Sequence, residues 1–303
     1  MPLALFKPGV MARWSAILLL VPQLVAAAPG AIHQAPGPSP TTPGRMPELT
    51  IDTWMQMATL TNATGATGDV LGIAVAISAD DSTIAVGSYG VASHTGAVYV
   101  YSKPVDGWVT SSAPTAILTN AGSVAGDYFG VSVAISADGS TIIVGADSTA
   151  NPGGGAAYVY TKPIDGWATT SAPTAILTNT TGGVNDQLGH AVAISGDGSV
   201  IIAGAPGVAT NTGAVLVYLQ PAGGWISSGM PDSILTNING ATYNFLGYAV
   251  AMSADASTIA AGAYGVANNK GAVHVYSKPN NGWMTSSMPN ATLMDASQVL
   301  ERR

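Results

Sequence analysis

The chain has 303 residues, 47% of them hydrophobic but only 8% charged, with 37 glycines, 19 prolines and no cysteine. That is apolar material for a sizeable core with too little charge for Glu- and Lys-rich helical surfaces, so the composition predicts an all-β fold with many turns. A formal net charge of −7 offers no basic face to phosphate and argues against a nucleic-acid partner, while the lack of cysteine removes thiol catalysis, disulfides and Cys-based zinc sites.

Residues 1–28 read as a signal peptide, because Lys7 and Arg13 precede the apolar run from Ser15 to Ala28, which ends in small residues suited to cleavage. The run falls short of the roughly 20 residues that span a bilayer, which predicts export rather than an anchor. Residues 29–50 follow as a Pro-rich tether with prolines at 29, 36, 38, 40, 43 and 47, too poor in large apolar residues to fold alone. The mature chain would carry 7 basic and 16 acidic residues, a net of −9, and no later stretch has the length and apolarity of a membrane span.

Residues 51–296 are repetitive. Gly72, Gly130, Gly189 and Gly247 lie 58, 59 and 58 residues apart, and Trp108, Trp167, Trp225 and Trp283 keep spacings of 59, 58 and 58. The units are about 58–115, 116–174, 175–232 and 233–290, followed by a fifth partial strand and a tail at 297–303. In the second unit, Val131, Val133 and Ile135 alternate with Ser132, Ala134 and Ser136, the period of a strand. Asp138-Gly139 then predicts a hairpin turn into the β-branched run Thr141 to Val144. A glycine-rich connection leads to a third strand, Ala156 to Tyr160, with Tyr158 and Tyr160 on one face. After the turn at Asp165-Gly166-Trp167, Thr174 to Thr178 reads as a short fourth strand.

Four antiparallel strands repeated every 58 residues predict β-propeller-type blades, with the small, apolar Val131–Ser136 strand innermost and large residues of one blade filling space left by small residues of the next. The sequence unit and the blade are out of phase by one strand, since each unit begins with the outer strand of the blade before it. Ala58–Asn62 and Ala291–Asp295 are both copies of that outer strand, so one is surplus. The pattern leaves open whether the four blades close into a ring with a spare terminal strand or form an open arc cut from a longer array, with exposed edges that invite self-association.

These residues carry a resemblance. The run Asp127-Tyr-Phe-Gly-Val-Ser-Val-Ala134, followed by Val144-Gly145-Ala146 and Gly155-Ala-Ala-Tyr-Val-Tyr160, resembles the FG-GAP repeat of integrin α-subunit propellers. It is more similar still to bacterial and protist variants that end in Lys-Pro-x-x-Gly-Trp, as Lys162 to Trp167 do here. The likeness runs from about Ala58 to Met294, with Leu71-Gly72, Leu188-Gly189 and Leu246-Gly247 in place of Phe-Gly, and Gly204-Ala205-Pro206 keeping the Gly-Ala-Pro half. Such repeats often carry a calcium loop with several aspartates, and the resemblance would put it at Ser136–Ser140. One carboxylate there, as at Asp197 and Asp255, cannot supply the six to eight oxygens calcium needs, so a hairpin turn is expected and neither metal nor other cofactor.

A second acidic series, Asp69, Asp127, Asp186 and Asn244, stands three residues before the repeated glycine and predicts Asx-type loop caps. His33, His94, His190 and His274 show no metal-ligand spacing, and His274 occupies a packing position filled by Tyr99, Tyr158 or Leu216 in other units. No nucleophile elbow, His-Glu-x-x-His, phosphate loop or dinucleotide fingerprint is present, so no catalytic residue is assigned. The binding candidates are the repeated Trp108, Trp167, Trp225 and Trp283, which either anchor a partner or cover the outer end of each blade. Asn62, Asn179 and Asn290 begin Asn-x-Thr sequons and are candidate glycosylation sites. The expected function is a secreted or cell-surface, non-catalytic binding or adhesion module for an extracellular protein or glycan. The alternatives are a propeller enzyme acting on polysaccharide and a structural wall or matrix component.

Overall fold

The computed structural model describes residues 56–147 and 154–294, so the expected signal peptide, tether and C-terminal tail lie outside the described residues. The described strands form four antiparallel sheets of four, each in simple meander order. Blade 1 is β1 (Ala74–Ile77), β2 (Thr83–Ser88), β3 (Ala97–Ser102) and β4 (Ala116–Leu118); blade 2 is β5 (Ser132–Ile135), β6 (Thr141–Ala146), β7 (Ala156–Thr161) and β8 (Ala175–Leu177). Blade 3 is β9 (Val192–Ile194), β10 (Val200–Ala205), β11 (Ala214–Leu219) and β12 (Ser233–Leu235); blade 4 is β13 (Ala249–Met252), β14 (Thr258–Ala263), β15 (Ala272–Ser277) and β16 (Ala291–Leu293). Each sheet takes its fourth strand from the start of the following sequence unit. Among the described residues, no helix is long and apolar enough to cross a membrane.

The period-two pattern sorts side chains between two faces. In blade 2, Val133 pairs with Val144, which pairs with Tyr158, which pairs with Ile176, and this set faces blade 1. Ile143, Val159 and Ala175 point the other way, towards Ile201, Leu216 and Tyr218 of blade 3. Successive blades stack in this manner three times, with their first strands in contact, which makes β1, β5, β9 and β13 the innermost. Each buried large side chain contributes about 1.5–3 kcal/mol, so the three blade junctions, rather than the individual sheets, hold the assembly together.

Two devices fix each junction. The first is glycine in the middle strand. A Cβ on Gly87, Gly145 or Gly204 would collide with the carbonyl oxygen of Gly130, Gly189 or Gly247 in the next blade, so the backbones touch only because no side chain intervenes. The second is a buried tyrosine whose hydroxyl reaches the strand exit of the preceding blade. Tyr160 donates to Thr119 O at 2.5 Å, Tyr218 to Thr178 O at 3.0 Å and Tyr276 to Thr236 O at 2.7 Å. Burial pushes these phenols up, Tyr276 to about 12, so they remain neutral donors.

The surplus strand has a place. Thr61 O accepts the Tyr101 hydroxyl at 2.6 Å, and Leu60 bridges in parallel to Ser111, as Leu118 does to Thr170, Leu177 to Ser228 and Leu235 to Ser286. Ala58–Asn62 therefore sits on blade 1 where the outer strand of a preceding blade would sit. On the rest of that face Val75 and Ile77 of β1 remain exposed while Val86, Tyr99 and Tyr101 are buried, and the far face of blade 4 is open at Val273, Ala291 and Leu293, so the four blades form an arc in which the first and last do not cover each other.

Candidate functional site

Each strand pair ends at one of two places. The β1–β2 type hairpins and the tryptophan-bearing loops share one end of the blades; the β2–β3 loops and the connections between blades share the other.

At the hairpin end the turn residues are one another's hydrogen-bond partners. The Ser136 hydroxyl donates to Asp138 Oδ1 at 2.7 Å, the same oxygen accepts Ser140 N–H at 2.9 Å, and Ser136 Oγ accepts Thr141 N–H at 3.0 Å. Asp80, Asp197 and Asp255 repeat this pattern. Hydrogen bonds from Ser253 and Ser257 hold the Asp255 carboxyl down to about 2. These aspartates act as acceptors for their own hairpins, and among the described residues no three metal-ligating acidic or histidine side chains converge. Trp167, Trp225 and Trp283 are buried against the same turns, their indole N–H groups donating to Gly139 O, Gly198 O and Ala256 O at 3.2, 3.0 and 3.1 Å. A buried indole offers a soluble ligand no surface. Trp108 is half-buried and donates to Asp81 Oδ1 at 3.0 Å, beside the Lys103–Asp81 ion pair at 2.6 Å.

The loop end is different. Asp69, Asp127 and Asp186 accept the N–H groups of Ala66, Val124 and Gly183 at 2.7, 2.8 and 2.8 Å, and Asn244 accepts that of Ala241, which makes them loop caps. Asp127 is buried, and its second oxygen has no hydrogen-bond partner among the described residues. In blades 1, 3 and 4 the β2–β3 loop contains a single helical turn, α1 (Val91–His94), α2 (Val208–Asn211) and α3 (Val266–Asn269). Its last three residues wind left-handed, with φ of 50, 59 and 67° at Ala92, Ser93 and His94 and close repeats in the other two. For non-glycine residues this costs about 1–2 kcal/mol each. In blades 1 and 3 the turn reaches the next blade, where His94 O accepts Tyr128 N–H at 2.9 Å and Asn211 O accepts Phe245 N–H at 2.8 Å, each fixing an aromatic residue; α3 of blade 4 winds the same way without a blade beyond it among the described residues.

The result is a run of side chains across three blades. His190 donates from Nδ1 to Asp147 Oδ2 at 2.6 Å, linking blades 3 and 2. The His190 ring lies 4.4 Å from that of Tyr248, Tyr248 packs edge-on to Tyr264 at 4.7 Å, Tyr264 stacks on Phe245 at 4.8 Å with 6° between the planes, and Tyr243 follows at 6.1 Å. Tyr248 and Tyr264 are 47% and 43% exposed. A smaller cluster, Tyr89, His94 and Tyr128, sits on the blade 1–blade 2 junction. Such a surface stacks flat apolar ring faces and presents phenol hydroxyls to polar edges, with the Asp147–His190 pair largely covered beside it.

These residues share a sequence signal. They occupy the positions where the repeat does not repeat: Ile73, Val131, His190, Tyr248; Tyr89, Asp147, Pro206, Tyr264; and Val70, Tyr128, Gln187, Phe245. Asn62 and Asn179 are half-buried, each accepting both the N–H and the hydroxyl of its sequon threonine, while Asn290 is exposed and accepts Ser277 N–H at 2.7 Å. Residues 54–101 and 114–160 match the FG-GAP repeat family. No curated protein matches the chain.

Proposed function

The chain is an FG-GAP repeat protein, and from that premise we propose that it is an extracellular, non-catalytic binding module whose ligand face is the aromatic loop end and whose ligand is a neutral glycan. The run from the largely covered Asp147–His190 pair to the exposed rings of Tyr248 and Tyr264 carries this reading. Pyranose rings present C–H faces that stack on tyrosine, and hydroxyl edges that exchange hydrogen bonds with phenol hydroxyls. The acidic balance of the chain repels polyanions, which favours an uncharged polymer. Export through the N-terminal leader and display on the Pro-rich tether complete the reading, with an adhesion-like role at a cell surface or in its surroundings. Trp108, which keeps an exposed edge, is a secondary contact at most, and Asn290 is the sequon most open to glycosylation.

Affinity electrophoresis of residues 29–303 through gels containing neutral or acidic polysaccharides tests the proposal. A neutral polymer should retard the protein without being cleaved, and the double variant Tyr248→Ala/Tyr264→Ala should lose at least about tenfold in affinity. Retardation that survives the double variant, or turnover of the polymer, contradicts it.

A further inference from the structure

The outer faces of blades 1 and 4, open at Val75 and Ile77 on the one and at Val273 and Leu293 on the other, are the two halves of a junction that the chain already makes three times. On the side of blade 1 that meets blade 2, Val98, Val100 and Leu118 are fully buried. Their register equivalents in blade 4 are Val273, Val275 and Leu293, and Leu293 is 59% exposed. On the opposite side, Val133 and Ile135 of blade 2 pack against blade 1, whereas their equivalents Val75 and Ile77 are exposed, Val75 at 64%. Two clefts of about 220 Å³ lie beside the Ala58–Asn62 strand, one walled by Thr61, Asp69 and Tyr99, the other by Leu60, Tyr101 and Trp108.

The glycines make the match specific. Gly262 is the blade 4 counterpart of Gly87, Gly145 and Gly204, yet the nearest atom to a Cβ placed on it is Ala249 Cβ of its own sheet, at 3.5 Å. Gly72 is the blade 1 counterpart of Gly130, Gly189 and Gly247, and among the described residues nothing lies within 4 Å of its Cβ position. The Gly96–Phe129, Gly155–Leu188 and Gly213–Leu246 bridges likewise have an unused fourth pair in Gly271 and Leu71. Blade 4 therefore keeps a socket for a glycine-backed loop, and blade 1 keeps a loop of that kind.

We infer that a second copy of this chain fills these faces, blade 4 of one copy docking on blade 1 of the next as a fourth blade junction. The contact goes beyond the ligand reading and does not depend on it. It is head-to-tail, so it either closes into a ring of two copies or continues as a filament. Contact runs along the innermost strand, where Val75 and Ile77 are open, whereas Val86, Tyr99 and Tyr101 of β2 and β3 are already buried. At the rim, β16 of the incoming copy competes with Leu60 of the receiving copy for Ser111.

Gly262→Val tests this, because the backbone there has no positive φ and a strand side chain fits in the isolated blade but meets the incoming Gly72 backbone in the docked pair. Sedimentation velocity of residues 29–303 from low to high micromolar should show concentration-dependent association of the wild type, as dimer or longer chains. G262V should weaken it by more than about tenfold while leaving the Tm unchanged. A wild type that stays monomeric throughout overturns the inference, whether G262V leaves its Tm alone or lowers it, as it would if the chain's own residues covered the face. Association that G262V does not weaken overturns it as well.

Discussion

The two ends of the blades are built from the same repeat and have opposite chemistry. At the hairpin end the four units stay close to one another, and the invariance is used internally: each serine–aspartate turn satisfies itself and three of four indoles are buried on it. At the loop end the units diverge, and the divergent residues gather, with Tyr248 and Tyr264 exposed beside the largely covered pair of Asp147 and His190. In a repeat protein, what is repeated builds the scaffold, and what varies between copies marks where one molecule differs from a stack of blades.

Exchanging the ends' roles by mutation is the direct way to break this contrast. The largest effect is expected from Trp225→Ala, which empties a buried indole site and orphans Gly198 O. It should cost about 3–5 kcal/mol in denaturant unfolding and leave glycan affinity of the folded fraction intact. Tyr264→Ala should do the reverse, weakening glycan retention by about tenfold while changing stability by no more than about 0.5 kcal/mol, since the ring is exposed. If W225A abolished binding at full fold, or Y264A unfolded the chain, the division would fail.

Two pH windows sharpen it further. Burial holds the His274 imidazole below its ordinary value of 6.5. The unfolded chain therefore takes up a proton first, and stability is full above about pH 6.5 and falls as pH drops below it. His274→Leu, which copies Leu216 of blade 3, should flatten the thermal midpoint across that window. The hairpin aspartates titrate lower. Their folded-state values lie below 3.8, with Asp255 at about 2, so their contribution is present above about pH 4 and is lost between pH 4 and 2. Ser253→Ala removes one donor to Asp255 and should shorten that acid limb slightly, the smallest effect of the series, read by acid titration of the circular dichroism.

Strands and hairpins were legible because their signals are local: Val131 to Ile135 alternates with period two, and Asp138-Gly139 is turn chemistry. The one-strand offset between unit and blade was legible too, from the near-identity of Ala58–Asn62 and Ala291–Asp295. The side-chain roles were not. Gly-Trp after a turn reads equally as an anchor or as a lid over the hairpin, and only the hydrogen bonds to Gly139, Gly198 and Ala256 separate the two. The turn at Val91–His94 contains no glycine and gives no hint of its left-handed winding, which α3 of the last blade shares without a blade beyond it among the described residues. His190 and Asp147 lie 43 residues apart and meet only when blades 2 and 3 stack. Comparing the units position by position for disagreement, rather than for agreement, would have pointed to both.

A hydrogen-exchange footprint of the chain with and without a retained neutral polysaccharide tests the central claim most directly. Protection confined to the loops at 186–190, 243–248 and 264–271 is the predicted result. Protection centred on the hairpins at 80–82, 138–140, 197–199 and 255–257, with those loops unchanged, would contradict it.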